Sequence, residues 1–189
     1  MRLRLHDGQV PADYEKAAEG IAHAWRVHSV RVVDVRPGYV TLWATMRDPL
    51  TEVTLSPAPV ELLRVRPGRL ENGRDWVMDL RTVPHWVDAG ATQAGKSNLA
   101  NAIIRDLAPQ PVALVGFDLK GGVEFTPYAP RLSALATTRK ESVDLLTDLV
   151  GELENRMGLC RAHGARNVWT LPEALRPVPV VVLVDEVAE

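Results

Sequence analysis

Cysteine is almost missing: the 189 residues contain one, Cys160. A single thiol excludes an internal disulfide and any cysteine-built metal cluster, and it suits a reducing compartment. Cys160 falls within a helical apolar pattern and reads as core packing. Aromatic residues are scarce, at 5%. Long apolar runs are missing too. The longest, Val180 to Val184, is far below the roughly 18 residues that a membrane helix needs. The first residues, MRLRLHDGQVPADYEK, hold no apolar stretch of signal-peptide length. A charge excess is also lacking. A net charge of −2 gives no chain-wide signature of nucleic-acid or membrane binding. The segment is expected to be soluble and cytoplasmic, with no membrane span of its own; an anchor in a longer parent is left open. What remains is ordinary globular composition, 46% hydrophobic and 24% charged.

The first 80 residues read as a small α+β unit. Pro11 suits a first helical turn. Tyr14, Ala18, Ile21 and Trp25 then recur at helical spacing, which predicts an amphipathic helix over 11–28. Val30–Val35 and Tyr39–Met46 are valine- and aromatic-rich runs joined by Arg36-Pro37-Gly38, a hairpin signal. Glu52–Leu55 reads as a further short run, and a loop with Pro57 and Pro59 leads to Val60–Val65. Asn72-Gly73 predicts a turn ahead of Trp76–Leu80. His6, His23, His28, Trp25 and Trp43 lack metal-ligand spacing and read as packing residues. Two arginine groups, Arg2 with Arg4 and Arg64 with Arg66 and Arg69, read first as solvated surface, with phosphate contacts to DNA as the weaker alternative.

After Pro84 the pattern changes. His85–Ala89 reads as a short buried strand. Asn98–Leu107 reads as a helix with Leu99, Ile103 and Leu107 on one face. Val112–Phe117 is an apolar strand, and Leu135–Thr137 a shorter one. Lys140–His163 is the longest helix, with a stripe of Val143, Leu146, Leu149, Val150, Leu153, Met157 and Cys160, closed by Gly164. Val180–Val184 is an unbroken apolar strand. This alternation predicts a parallel α/β sheet whose strand ends gather at one edge, where ligands bind in such sheets.

Two motifs carry chemistry. Residues 90–97 read GATQAGKS, a complete G-x-x-x-x-G-K-[ST] phosphate loop. Gly90, Ala91, Thr92, Gln93, Ala94 and Gly95 supply backbone N–H groups that cradle phosphate oxygens. Lys96 reaches the β/γ-phosphates, and Ser97 places its hydroxyl on Mg²⁺. The following helix aims its positive end at the same anion. The second motif closes the run VVVLVDE. Two carboxylates at the end of a buried strand are costly to desolvate without cationic or water partners. Mg²⁺ on a nucleotide is such a partner for Asp185, and Glu186 is positioned to polarise an attacking water. Asp118 and Lys120, in FDLKGG, read either as nucleotide-edge residues or as a solvent-facing ion pair.

Several blocks taken together resemble the FtsK/SpoIIIE DNA translocases of actinobacterial type: VPHWVDAGATQAGKSNLANAIIRDLA, VALVGFDLKGGVEFTPYAPRL, ARNVWTLPEALRPVPV and VVVLVDEVAE. The resemblance covers about residues 80–189. It implies a RecA-like P-loop ATPase core in residues 81–189, incomplete after Asp185-Glu186 (the Walker B position), preceded by the α+β unit of residues 1–80. It further implies an ATP- and Mg²⁺-dependent motor that assembles as a homo-hexamer and moves double-stranded DNA in chromosome segregation or conjugation. On that pattern Lys96 and Ser97 bind ATP and Mg²⁺, Asp185 supports the metal, and Glu186 is the catalytic carboxylate. Type VII secretion ATPases, which move protein, are similar to the same family and form the alternative. A nucleotide-binding fragment without turnover is a third reading. Asp88 departs from the pattern, since family members carry an apolar residue there. In a central strand its carboxylate is expected to destabilise, and Asp88→Val to stabilise.

Overall fold

The computed structural model describes residues 1–51, 61–91 and 93–185. The expected Glu52–Leu55 run, Thr92 and Glu186 lie outside the described residues. The chain divides into two units, Met1–Pro57 with Gly68–Trp76, and Ala58–Pro67 with Val77–Glu189.

The first unit is a helix on a three-stranded antiparallel sheet. Its elements are β1 (Arg2–Arg4), α1 (Pro11–Trp25), β2 (Ser29–Arg36) and β3 (Tyr39–Thr45), with sheet order β1-β3-β2. Helix α1 starts with Pro11 in its first turn. It stops at Trp25 because Arg26 turns left-handed (φ 55°) and its N–H closes on the carbonyls of Ala22 and His23. Helix and sheet enclose Ala22, Val30, Val40 and Leu42, with Leu3, Leu5, Tyr14, Ile21, Val27 and Val32 packed around them. Strand β1 carries no strong sequence signal. It is created by pairing with β3, through bonds such as Leu42 N to the Met1 carbonyl at 2.7 Å. A bulge at Val33 shifts the β2–β3 register between Val32 and Asp34.

Strands β4 (Arg64–Arg69) and β5 (Asp75–Asp79) form a two-stranded sheet. The turn between them closes at Asn72-Gly73, where Gly73 N–H donates to the Leu70 carbonyl at 2.8 Å.

The second unit carries a parallel sheet. Strands β6 (Ala113–Asp118), β7 (Ala134–Ala136) and β8 (Val180–Asp185) lie in the order β7-β6-β8. Helix α2 (Lys96–Leu107) precedes β6, and α3 (Arg139–Ala162) joins β7 to the segment before β8. Strand β6 is buried from Leu114 to Asp118, as a central parallel strand should be. In register, Phe117 faces Val184 and Asp118 faces Asp185 across β6–β8. The C-terminal end of α2 is closed by Arg131. Its guanidinium donates to the carbonyls of Leu107, Ala108, Gln110 and Val112 at 2.7–3.2 Å, which satisfies acceptors a helix end leaves over.

Two sequence expectations fail here. The strand expected over His85–Ala89 is not formed. Residues 81–90 are all exposed, and Val87 is 93% exposed. The segment makes local turns instead: Val83 N–H bonds Asp79 O at 2.9 Å, and the Trp86 indole N–H bonds Val83 O at 2.8 Å. Only Trp86 and Val87 bring large apolar side chains to this run, and His85 and Asp88 oppose burial. Asp88 therefore lies exposed rather than inside a sheet, and the ground for stabilisation by Asp88→Val is gone. The second failure concerns the face of α3. Leu145 and Leu149 pack against Val115, Phe117 and Ala136. Val143, Leu146, Val150, Leu153 and Met157 are each half exposed or more. The helix has two apolar stripes, and the sheet takes the one centred on Leu145 and Leu149.

Candidate nucleotide site

The phosphate loop closes on itself through its backbone and one lysine. Gly95 caps α2 in a left-handed conformation (φ 96°), and Gln93 is left-handed as well (φ 66°). That geometry costs a side-chain-bearing residue about 1–2 kcal/mol, and strain of this kind collects at ligand-binding turns. Ala94 N–H bonds the Ala91 carbonyl at 3.1 Å, and Leu99 N–H bonds the Gly95 carbonyl at 3.0 Å. The chain thus enters the helix through a tight turn. Successive N–H groups in such a turn form an anion-binding concavity at the positive end of the helix.

Lys96 reaches back across this turn. Its Nζ donates to the carbonyls of Gly90 at 2.7 Å and Ala91 at 3.1 Å. The ammonium is therefore held over the loop rather than in open solvent. Gly90 suits a close approach: a Cβ there would lie 3.0 Å from the Ala94 Cβ, a tight contact. Gly95, Lys96 and Ser97 are half-buried, while Gly90, Ala91, Gln93 and Ala94 are exposed. The structure brings Gly90, Ala91, Ala94, Gly95 and Lys96 into one hydrogen-bonded turn, with Ser97 in the first turn of α2.

Asp185 is positioned by a different element. It ends β8, is half-buried, and stands at the C-terminal edge of the sheet opposite Asp118. Asp118 is fully buried. Its Oδ1 accepts from Lys120 N at 3.2 Å, and its Oδ2 accepts from Glu124 N at 2.8 Å and Phe125 N at 3.0 Å. The solvent-facing reading of Asp118 is thus replaced. It is buried at the C-terminal edge of the sheet and anchors the loop that follows β6. The sequence did contain a signal for this: a carboxylate bonding the N–H two residues on is an Asx turn, and Asp118 is followed by glycines at 121 and 122.

The donor chemistry fits Mg²⁺. The Ser97 hydroxyl and the Asp185 carboxylate are hard oxygen donors. Mg²⁺ takes one or two such protein ligands together with phosphate oxygens and water. Among the described residues no group of three His, Cys, Asp or Glu could hold a metal by itself.

Upstream of the loop, the Asp79 carboxyl is held below its usual range, chiefly by the Thr82 backbone N–H, with the Thr82 hydroxyl and the Arg81 N–H assisting. This fixes the turn that leads from β5 toward the loop.

Comparison with known proteins places the chain. Residues 54–187 match the FtsK/SpoIIIE family. The chain belongs to this family. Residues 1–46 match a second description, the actinomycete conjugal transfer protein N-terminal domain, in keeping with an actinobacterial member. Transfer protein TraSA of Streptomyces ambofaciens is 41% identical over 202 residues, covering 100% of this chain and 48% of that protein. The chain thus spans about half the length of that curated relative. Among solved structures, the conjugation coupling protein TcpA of pCW3, in its monomer form with ATPgS, aligns with a TM-score of 0.59 at 19% identity. It covers 97% of this chain and 54% of TcpA, and at that identity it shows the fold alone. The cytoplasmic domain of the Thermomonospora curvata type VII secretion ATPase EccC aligns with a TM-score of 0.53 at 25% identity, over 74% of this chain and 19% of EccC. The fold is a mixed α/β P-loop NTPase core of the FtsK/SpoIIIE type, built on a parallel sheet. Among the described residues no helix is long and apolar enough to cross a membrane.

Proposed function

We propose that this chain is the ATP-binding part of a motor that moves double-stranded DNA, in plasmid conjugation or chromosome segregation. The observation that carries the proposal is the loop of residues 90–97, in which the Lys96 ammonium, at the start of α2, is held over the turn by the carbonyls of Gly90 and Ala91. Phosphate oxygens of ATP supply stronger acceptors than those carbonyls, because the bonds become charge-assisted on both sides. Lys96 then neutralises the β/γ-phosphates while the loop N–H groups, that of Thr92 included, orient them. Ser97 and Asp185 hold Mg²⁺, which offsets phosphate charge when bound. Glu186 takes the role of orienting and polarising the attacking water. In domain terms, residues 1–80 form the unit preceding the motor and residues 81–189 the first part of its core; the working assembly is a homo-hexamer.

DNA is favoured over protein as cargo because residues 1–46 match a conjugal transfer domain. The likeness to EccC keeps protein cargo as the competing reading. DNA-stimulated ATP hydrolysis by the protein of full relative length decides between them, with Lys96→Ala as the control. Stimulation by duplex DNA that Lys96→Ala abolishes is the expected result. ATP turnover indifferent to DNA would exclude the DNA motor.

A further inference from the structure

We infer that the outward face of the N-terminal sheet is a binding platform for single-stranded nucleic acid, a site separate from the phosphate loop. The register fixes which side chains share this face. Side chains alternate along each strand, and α1 covers the side carrying Val30, Val40 and Leu42. The opposite side is read row by row across β1-β3-β2. Arg4 pairs with Tyr39 and Tyr39 with Arg36; Arg2 pairs with Thr41 and Thr41 with Asp34; Trp43 pairs with Arg31. Four arginines and two aromatic rings therefore interleave on one surface.

The rings and planes are presented outward. Trp43 is 54% exposed although it sits mid-strand. The Arg2 guanidinium lies over the Tyr39 ring, 4.2 Å from its centroid. A guanidinium stacked in this way offers its other side as a flat, charged plane. Unpaired bases stack on such planes and on open aromatic rings. Tyr39 and Trp43 are four residues apart on β3, about 13 Å at the usual strand rise. That length accommodates a short stretch of splayed nucleotides and not a single small ligand.

Charge favours a polyanion. The chain as a whole carries −2, yet this face holds four arginines. Arg31 pairs with Glu71, and Arg36 pairs with Asp34 at 3.0 Å. Arg2 and Arg4 have no carboxylate partner among the described residues. Both stand on β1, at one side of the aromatic row, where they would contact the phosphates of a strand lying along β3. A duplex hides its base faces, so it could use the arginines but not the Trp43 ring. The preference is therefore for single strands.

The test is fluorescence anisotropy of the 189-residue protein with a labelled 20-nucleotide dT oligonucleotide and with a 20-base-pair duplex, over a salt series. The single strand is expected to bind more tightly than the duplex. Trp43→Thr, a strand-compatible change, should weaken binding roughly tenfold or more, and Trp43→Phe should restore most of it. Arg2→Gln with Arg4→Gln should lower the slope of log affinity against log salt by about 1.4, two phosphates at about 0.7 each. Absence of binding, tighter binding to the duplex, or unchanged binding by folded Trp43→Thr overturns the inference. Should Trp43→Thr fail to fold by circular dichroism, an unchanged salt slope in the double arginine variant overturns it instead. Lys96→Ala should bind the oligonucleotide as the parent does. Failure of the motor reading is ATP turnover indifferent to duplex DNA, a readout separate from oligonucleotide binding, and is thereby distinguishable from failure of this one.

Discussion

Asp118 offers the most direct test of how the second unit is built. Its carboxylate is fully buried and accepts three backbone N–H groups, from Lys120, Glu124 and Phe125. Replacement by asparagine keeps the shape and removes the charge. The amide oxygen does best on the side of Glu124 and Phe125, where it retains two bonds. Its NH₂ group then faces the Lys120 N–H, donor against donor. One charge-assisted bond, about 1.5–3 kcal/mol, is lost. The two that remain fall to neutral strength, roughly half. Relief from burying a charge offsets part of this. The net expectation is a loss of about 2–4 kcal/mol, a large share of the 5–15 kcal/mol typical of a domain.

Urea unfolding followed by circular dichroism reads this directly. With a slope of about 2 kcal/mol per molar, the midpoint should fall by about 1–2 M at unchanged slope. Because the chain has two units, a local readout is needed as well. Hydrogen exchange at the amides of Glu124 and Phe125 should accelerate, while the amides of β3 keep their protection. A midpoint shift below about 0.3 M with unchanged exchange at these two amides would refute the view that this carboxylate holds the loop.

Two further substitutions test separate supports. Gln110 is buried, its Oε1 accepting from Leu63 N at 2.7 Å and its Nε2 donating to the carbonyls of Arg64 at 2.9 Å and Asp106 at 3.0 Å. Gln110→Leu strands these groups and should cost about 2–4 kcal/mol by urea midpoint, given about 1–3 kcal/mol per buried group left unpaired; a cost under 0.5 kcal/mol would show that water or a shift of the backbone replaces the side chain. Glu141 has its carboxyl held below the usual range, first by the Thr137 backbone N–H and then by the Thr137 hydroxyl and the Thr138 N–H. A lowered folded-state value contributes stability above the ordinary value of 4.5, and that contribution is lost as pH falls through the folded value. Glu141→Gln should therefore flatten the acid side of the stability profile below about pH 4.5 and leave its neutral-to-alkaline shape unchanged; an identical acid limb would remove Glu141 as a source.

What could be read beforehand divides along physical lines. The phosphate loop was legible because each residue type in it answers a local requirement. Gly95 needs a positive φ, Gly90 eases a tight approach to Ala94, and Lys96 needs a reach of a few residues. Strand β6 was legible because a strand buried on both faces reads as a continuous apolar run; β8 carries the same kind of run, but Val182 and Val184 on it are exposed. The existence of α3 was legible, and its buried face was not. Val143, Leu146, Val150, Leu153 and Met157 form as good a stripe as the one the sheet takes, and periodicity cannot say which is covered. Strand β1, the Gln110 bonds and the Arg131 cap come from pairings between residues far apart in sequence, which leave no local pattern. The same division explains the arginines at the N-terminus. In the sequence Arg2 and Arg4 are two charges beside a leucine, indistinguishable from solvated surface. Only the register with β3 sets them beside Tyr39 and Thr41, and only the three-strand order adds Arg31 and Arg36 on the far side of the aromatic row. A basic surface made by strand pairing is invisible to net charge, so the overall value of −2 was never an argument against a nucleic-acid partner.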